Sequence, residues 1–172
     1  LVFIDCLACH PRLRFLDSFF HMSNSSGYSA STSRDFTAAF LILRLFLGLR
    51  ALLSGLEKFE SGGSYSFENY TRNMGRIANG ITGASFLPAW ATKAFALPLG
   101  FAMLLLGVTI LLGIKTRVSL ILLALVWVGL GFGLMAVQEN EGVAWMGTYV
   151  GLTAGAILLV RHNRFAVWSD RS

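Results

Sequence analysis

The chain has 172 residues, 55% of them hydrophobic and 13% charged, with two cysteines and a formal net charge of +5. A water-soluble domain carries about 25% charge, and its apolar residues are spread out, whereas here they are bunched into long runs; one integral membrane domain is the natural reading. The positive balance does not indicate nucleic acid, because the basic residues gather at the ends of apolar runs, where they orient a chain across a bilayer. Two cysteines are also too few for an iron–sulfur cluster, which takes about four ligands.

Residues 1–21 contain Cys6-Leu-Ala-Cys9-His10, the C-x-x-C-H spacing that attaches c-type haem. Haem attachment needs a translocated segment, and the charge bias described below places this end in the cytoplasm, so no metal or haem site is expected there. Met22 is an alternative start, which would make 1–21 an upstream extension. Residues 23–35 are serine-rich and nearly devoid of large apolar groups, so a flexible tail is expected over 1–35. Ser31, Thr32, Ser33 or Asp35 would cap the helix that follows.

Span one runs from Phe36 to Lys58 and is long enough to cross a hydrocarbon layer of about 30 Å. It carries Arg44 and Arg50 inside and Glu57-Lys58 at its far end. Gly48, Ala51 and Gly55 form a smooth strip that another helix can approach closely, and Arg44 falls on that strip. Arg50 points about 120° away. In the connection 59–91, Gly62-Gly63 breaks the helix. Phe67, Tyr70, Met74, Ile77 and Ile81 then recur at three- and four-residue spacing, which predicts an amphipathic helix from Ser66 to Gly80. It either lies flat on the membrane surface or packs over the mouth of the bundle. Trp90 suits the interfacial belt.

Span two is expected from Thr92 or Phe95 to Ile114, with Pro98 near its start and Gly100 and Gly107 seven apart. Span three covers Val118 to Val137, with Gly129, Gly131 and Gly133 alternating. Span four covers Val143 to Val160, and its Gly147, Gly151 and Gly155 form a double G-x-x-x-G ladder, read as packing within the chain before a dimer face. Lys115 and Arg117, with Arg34, Arg161 and Arg164, lie on one side, and the acidic 138–142 turn lies on the other. The positive-inside rule puts both termini in the cytoplasm. The fold class is an all-α antiparallel bundle of four membrane helices over 36–165, with a surface helix in the first loop and a short tail at 166–172.

An arginine at mid-bilayer costs about 2.5–3.5 kcal/mol even on lenient insertion scales, so intramembrane charge marks a candidate site. Helix rise puts Arg44 about 12 Å inside the cytoplasmic edge, at the level of Trp127 and Thr153. Spans two to four contain no Asp or Glu, so Arg44 would be met by hydroxyls, backbone carbonyls, the Trp127 face, or a quinone, an anion or a partner's acid. Arg50, about 9 Å from the other edge, shares a face with Glu57. Lys58, Tyr65 and Asn73 complete the candidate ligand-binding set in and near the outer loop. No span holds a histidine, so a two-histidine membrane haem is not expected within the spans.

The ordered elements Arg44-Leu-Phe-Leu-Gly48, Ser54-Gly55-Leu-Glu-Lys58-Phe59, Asn73-Met74, Leu87-Pro88, Leu97-Pro98 and Gly107-x5-Gly113-Ile-Lys-Thr116-Arg117 resemble the DoxX family over roughly 36–165. The resemblance implies a four-helix membrane protein. Some relatives form the small subunit of thiosulfate:quinone oxidoreductase, and others are linked to redox or sulfur stress. Where many relatives carry an acid early in span two, this chain reads Leu99-Gly100-Phe101-Ala102-Met103, so no catalytic residue carries over. The expectation is a subunit or accessory of a quinone-linked, sulfur-compound-oxidising system in the lipid bilayer. Arg44 and Lys58 would orient a quinone or sulfur oxyanion, any covalent cofactor would lie in a partner membrane or redox subunit, and whether the chain is itself an enzyme stays open. The alternatives are a non-enzymatic membrane scaffold and, after it, a small-solute transporter.

Overall fold

The computed structural model describes residues 28–168, with side chains from Arg34 onward; the Cys6, Cys9 and His10 motif lies outside the described residues. Five helices and one small hairpin follow in order: α1 Tyr28–Glu57, β1 Glu60–Ser61, β2 Ser64–Tyr65, α2 Phe67–Ala84, α3 Ala89–Leu112, α4 Thr116–Ala136 and α5 Asn140–Leu159, closed by a 3₁₀ turn Val160–His162. Helices α1, α3, α4 and α5 are each long and apolar enough to cross a membrane. Residues 28–35, placed in a flexible tail by their serine content, are helical, so the expected caps Ser31, Thr32, Ser33 and Asp35 lie inside α1. From Phe36 onward the chain is one compact unit, and the features described below belong to it.

The glycines of α1 and α3 interlock. A Cβ on Gly48 would lie 2.7 Å from the Leu111 side chain, one on Gly55 2.8 Å from Leu104, and one on Gly107 2.7 Å from the Leu52 backbone nitrogen. The two helices therefore run antiparallel with backbone almost against backbone, which only small residues allow. This pairing also sets their register: the middle of α1 lies beside the last turns of α3. Short links then return α4 and α5 antiparallel. Phe40, Leu47, Met103, Ile110, Leu120, Leu123 and Trp127, each at most 1% exposed, form the centre of the core.

The ladder on α5 does not pack within the chain as expected. A Cβ on Gly147, Gly151 or Gly155 would meet nothing within 4 Å, so this strip faces outward.

Gly62 and Gly63, with φ of +59° and +78°, do more than break a helix. Positive φ at both central residues makes a two-residue hairpin turn, pairing Glu60 with Tyr65 and Ser61 with Ser64. Ser66 caps α2, its hydroxyl accepting from the Asn69 N–H at 3.0 Å, and the helix continues past Gly80 to Ala84. Its apolar face, through Tyr70, Met74 and Ala78, packs on α3, which makes it a lid on the bundle mouth and not a free surface helix. Phe67, expected on that face, is 74% exposed at its edge.

Pro98 falls well inside α3 instead of near its start. The Tyr70 hydroxyl enters the interrupted hydrogen-bond ladder there, donating to the Leu97 carbonyl and accepting from the Gly100 N–H at 3.3 Å. Gly100 is required because a Cβ would sit 2.5 Å from the Tyr70 ring. Burial raises the Tyr70 phenol above its ordinary value, with the backbone of Gly100 and Phe101 pulling weakly the other way.

Candidate functional site

The two arginines of α1 have opposite surroundings. Arg44, 7% exposed, lies beside the C-terminal end of α3, where the last carbonyls of a helix have no partner of their own. Its Nε donates to the Ile110 carbonyl at 2.8 Å and its Nη2 to the Leu111 carbonyl at 2.7 Å. Nη1 donates to the Phe165 carbonyl at 2.7 Å and to Asn163 Oδ1 at 3.0 Å. Asn163 in turn donates to the Thr116 hydroxyl at 2.9 Å.

The remaining carbonyls of that helix end are met as well. Gly113, in the left-handed region at φ 74°, turns the chain so that the Ile114 N–H reaches Thr109. Val167 and Trp168 donate to the Leu112 and Gly113 carbonyls, so the tail beyond Leu159 is tied down as a short strap. A Cβ at Gly113 would lie 2.6 Å from Arg44 Nη2, so glycine here serves both the turn and the guanidinium. Every donor nitrogen of Arg44 is thus engaged by the protein. Of the partners open to it from sequence, backbone carbonyls meet Arg44 in place of a quinone, an anion or a partner's acid, and the reason is register: α3 ends at the level of Arg44, so free carbonyls stand where a flush bundle would present apolar side chains.

Arg50 is the under-bonded one. Its Nε donates to the Tyr149 hydroxyl at 3.0 Å, its guanidinium carbon stands 5.3 Å from the Tyr149 ring centroid, and its Nη1 is 3.7 Å from Glu57 Oε1. That ion pair is long, and at its partial exposure it contributes under about 1 kcal/mol. The remaining guanidinium donors have no partner among the described residues, and Arg50 lines a cavity of about 700 Å³.

Four elements besides α1 build the cavity. Arg50, Ser54 and Glu57 come from α1, Lys58 from the turn just after it, and Ile77 and Ile81 from the face that α2 turns to the bundle. Helix α3 adds Thr92, Phe95, Leu99 and Met103; α4 adds Trp127, Leu130 and Gly133; and Met146 comes from α5. The wall is therefore mostly hydrocarbon with a few polar groups, the character of a site for an apolar molecule with a polar end. The Thr82 and Thr92 hydroxyls, 2.7 Å apart, tie α2 to α3 at its rim. Trp127 is 1% exposed, its ring 5.0 Å from that of Tyr149, and its indole N–H is buried without a hydrogen-bond partner among the described residues.

Of the residues singled out from sequence, Arg50, Glu57, Lys58 and Trp127 therefore come together, while Arg44, Thr153, Tyr65 and Asn73 do not join them. Thr153 spends its hydroxyl on the Tyr149 carbonyl one turn back, at 2.6 Å. Tyr65 is 68% exposed on the hairpin. Asn73 braces the corner after α1, donating to the Lys58 and Glu60 carbonyls at 3.2 and 2.9 Å. Sequence reasoning missed Tyr149, which holds Arg50, although a hydroxyl-bearing aromatic in the middle of an apolar span was a signal. No group of three or more His, Cys, Asp or Glu able to hold a metal occurs among the described residues.

The comparison with protein families matches the DoxX family model over residues 39–136, which takes in α2, α3, α4 and the part of α1 that carries both arginines. No curated protein and no solved structure matches the chain. Four membrane-length apolar helices, the interlocked glycines of α1 and α3, and a match across more than half of the sequence agree: this chain belongs to the DoxX family.

Proposed function

We propose that the protein is a membrane subunit or accessory of a quinone-linked redox system in the bacterial cytoplasmic membrane, with both termini on the cytoplasmic side, and that its cavity holds the quinone head. The observation that carries this reading is Arg50: a guanidinium with free donors on the wall of an apolar cavity of about 700 Å³. A quinone needs hydrocarbon around its ring and tail and a donor for a carbonyl, and this wall supplies both. The chain's own role is to bind and orient; electrons would be supplied by a partner redox subunit acting on thiosulfate or a related sulfur compound.

The test is the quinone content of protein extracted in mild detergent. Near-stoichiometric quinone in the parent, lost in Arg50→Leu with the thermal transition retained, supports the reading. Parent protein without quinone, refractory to reloading, ends it. The scaffold alternative keeps one specific support, the outward strip of Gly147, Gly151 and Gly155, which suits a partner helix. Its other support, an arginine awaiting a partner's acid, is lost with Arg44.

A further inference from the structure

The charges of the bundle are sorted by end. Between Phe36 and Trp168 every acidic residue, Glu57, Glu60, Glu68, Glu139 and Glu141, belongs to the hairpin end or to the α4–α5 link beside it. Lys58, Arg72, Arg76 and Lys93 are mixed with them there. At the opposite end, around the α3–α4 link and the strap, stand Lys115, Arg117, Arg161 and Arg164, with no acid among the described residues of that range. The charges just outside it cancel formally, Arg34 against Asp35 and Asp170 against Arg171. Lys115, Arg161 and Arg164 are all exposed.

The strap adds an apolar part to this surface. Phe165, Val167 and Trp168 are 66, 78 and 65% exposed. Their backbone is fixed, because the Phe165 carbonyl accepts from Arg44 at 2.7 Å and the Val167 and Trp168 N–H groups donate to Leu112 and Gly113. Those last partners mark the end of a membrane-length helix, so the three side chains are held where hydrocarbon gives way to headgroups, a depth that tryptophan favours. Lys115 is tied to the same place, its N–H donating to the Trp168 carbonyl at 3.2 Å. Its φ of 40° is left-handed, a conformation that glycine adopts without strain. Backbone strain of this kind collects at functional positions, and what lysine has that glycine lacks is the ammonium. An exposed apolar cluster beside unopposed cations suits a partner that is negative at one end and apolar at the other. A zwitterionic lipid brings its own cation to that surface, and free phosphate has no chain to meet the aromatic groups.

We propose that the strap end is a binding surface for an anionic phospholipid, with Lys115, Arg161 and Arg164 taking the headgroup phosphate and Phe165, Val167 and Trp168 the upper part of the chains.

The test is the lipid selectivity of the full chain in phosphatidylcholine nanodiscs carrying a minor fraction of brominated lipid, which quenches nearby tryptophan. The Trp168 signal is the emission lost between each protein and its Trp168→Phe counterpart. Brominated phosphatidylglycerol is expected to be preferred at Trp168 over brominated phosphatidylcholine by on the order of tenfold. Combining Lys115→Gln, Arg161→Gln and Arg164→Gln should bring the two lipids to parity. Combining Arg72→Gln, Arg76→Gln and Lys93→Gln at the hairpin end should leave the preference intact. Inorganic phosphate, against chloride of matched ionic strength, should not relieve the quenching. Parity of the two lipids in the parent leaves the surface to an acidic protein segment and overturns the proposal. So does a preference that survives the strap-end substitutions, an equal loss in the hairpin-end variant, relief by inorganic phosphate, or a Trp168 that neither lipid quenches.

Discussion

Arg44 and Arg50 stand six residues apart on one helix. At the tail end of the bundle, Arg44 gives four hydrogen bonds to the protein, three of them to backbone carbonyls of α3 and the strap. At the hairpin end, Arg50 gives one hydrogen bond and a long ion pair, and the rest of its guanidinium lines a cavity. The difference teaches that charge inside a membrane span does not by itself mark a ligand site. What marks one is the number of donors the fold has left unfilled.

That contrast can be broken most directly at Arg44. Arg44→Leu strips partners from the Leu111 and Phe165 carbonyls and is expected to cost on the order of 2–4 kcal/mol, read as a lowered thermal transition in detergent. Arg44→Lys should recover less than half, since an ammonium cannot span carbonyls arranged for a planar fork. An unchanged transition in Arg44→Leu would mean the knot is not structural.

Next in size is Gly107→Ala. Its new Cβ would press on the Leu52 backbone, and overpacking of this kind costs about 1–3 kcal/mol. Gly151→Ala, on the outward strip of α5, should stay within about 0.5 kcal/mol in the isolated chain. Equal effects at the two sites would contradict the difference between a closed and an open glycine strip.

Arg50→Gln should change the stability of the unliganded chain by less than about 1 kcal/mol, because it removes one hydrogen bond and a weak ion pair. Ligand binding should fall in that variant while the fold persists, the reverse of Arg44→Leu. The smallest effect concerns the lid. The Tyr70 phenol is raised above its ordinary value of 10.0, so the docked form prefers the protonated hydroxyl. Its contribution is therefore fully present below pH 10 and fades as pH climbs through the raised value. A tyrosinate absorbance titration of the parent minus Tyr70→Phe should show a component with its midpoint above 10.0.

The spans, the start of α2 at Ser66 and the close approach through Gly48 and Gly55 were legible in the sequence, because each is written in a spacing of a few residues. The hairpin was half legible: two adjacent glycines announce a break, but pairing depends on how the strands return. The fate of Arg44 was not legible. Its partners lie 66 to 121 residues away, and whether they reach it depends on the offset between α1 and α3, a tertiary quantity. Assuming helices of matched ends placed Trp127 beside Arg44, whereas Trp127 packs on the Tyr149 that holds Arg50. Of the eight candidates only Arg50, Glu57, Lys58 and Trp127 line one cavity, and neither that grouping nor the part played by Tyr149 could be read from spacing.

The strap after α5 bears on where a fragment of this protein can be cut. The segment that identifies the family stops at 136, yet Arg44 is met by Asn163 and Phe165, and Arg50 by Tyr149. The boundary of homology is thus not the boundary of folding. A polypeptide trimmed to the recognisable portion would keep the Ile110 and Leu111 carbonyls for Arg44 and Glu57 for Arg50, but would lose Asn163, Phe165 and Tyr149, so the last helix and its trailing residues complete the surroundings of both cations on the first.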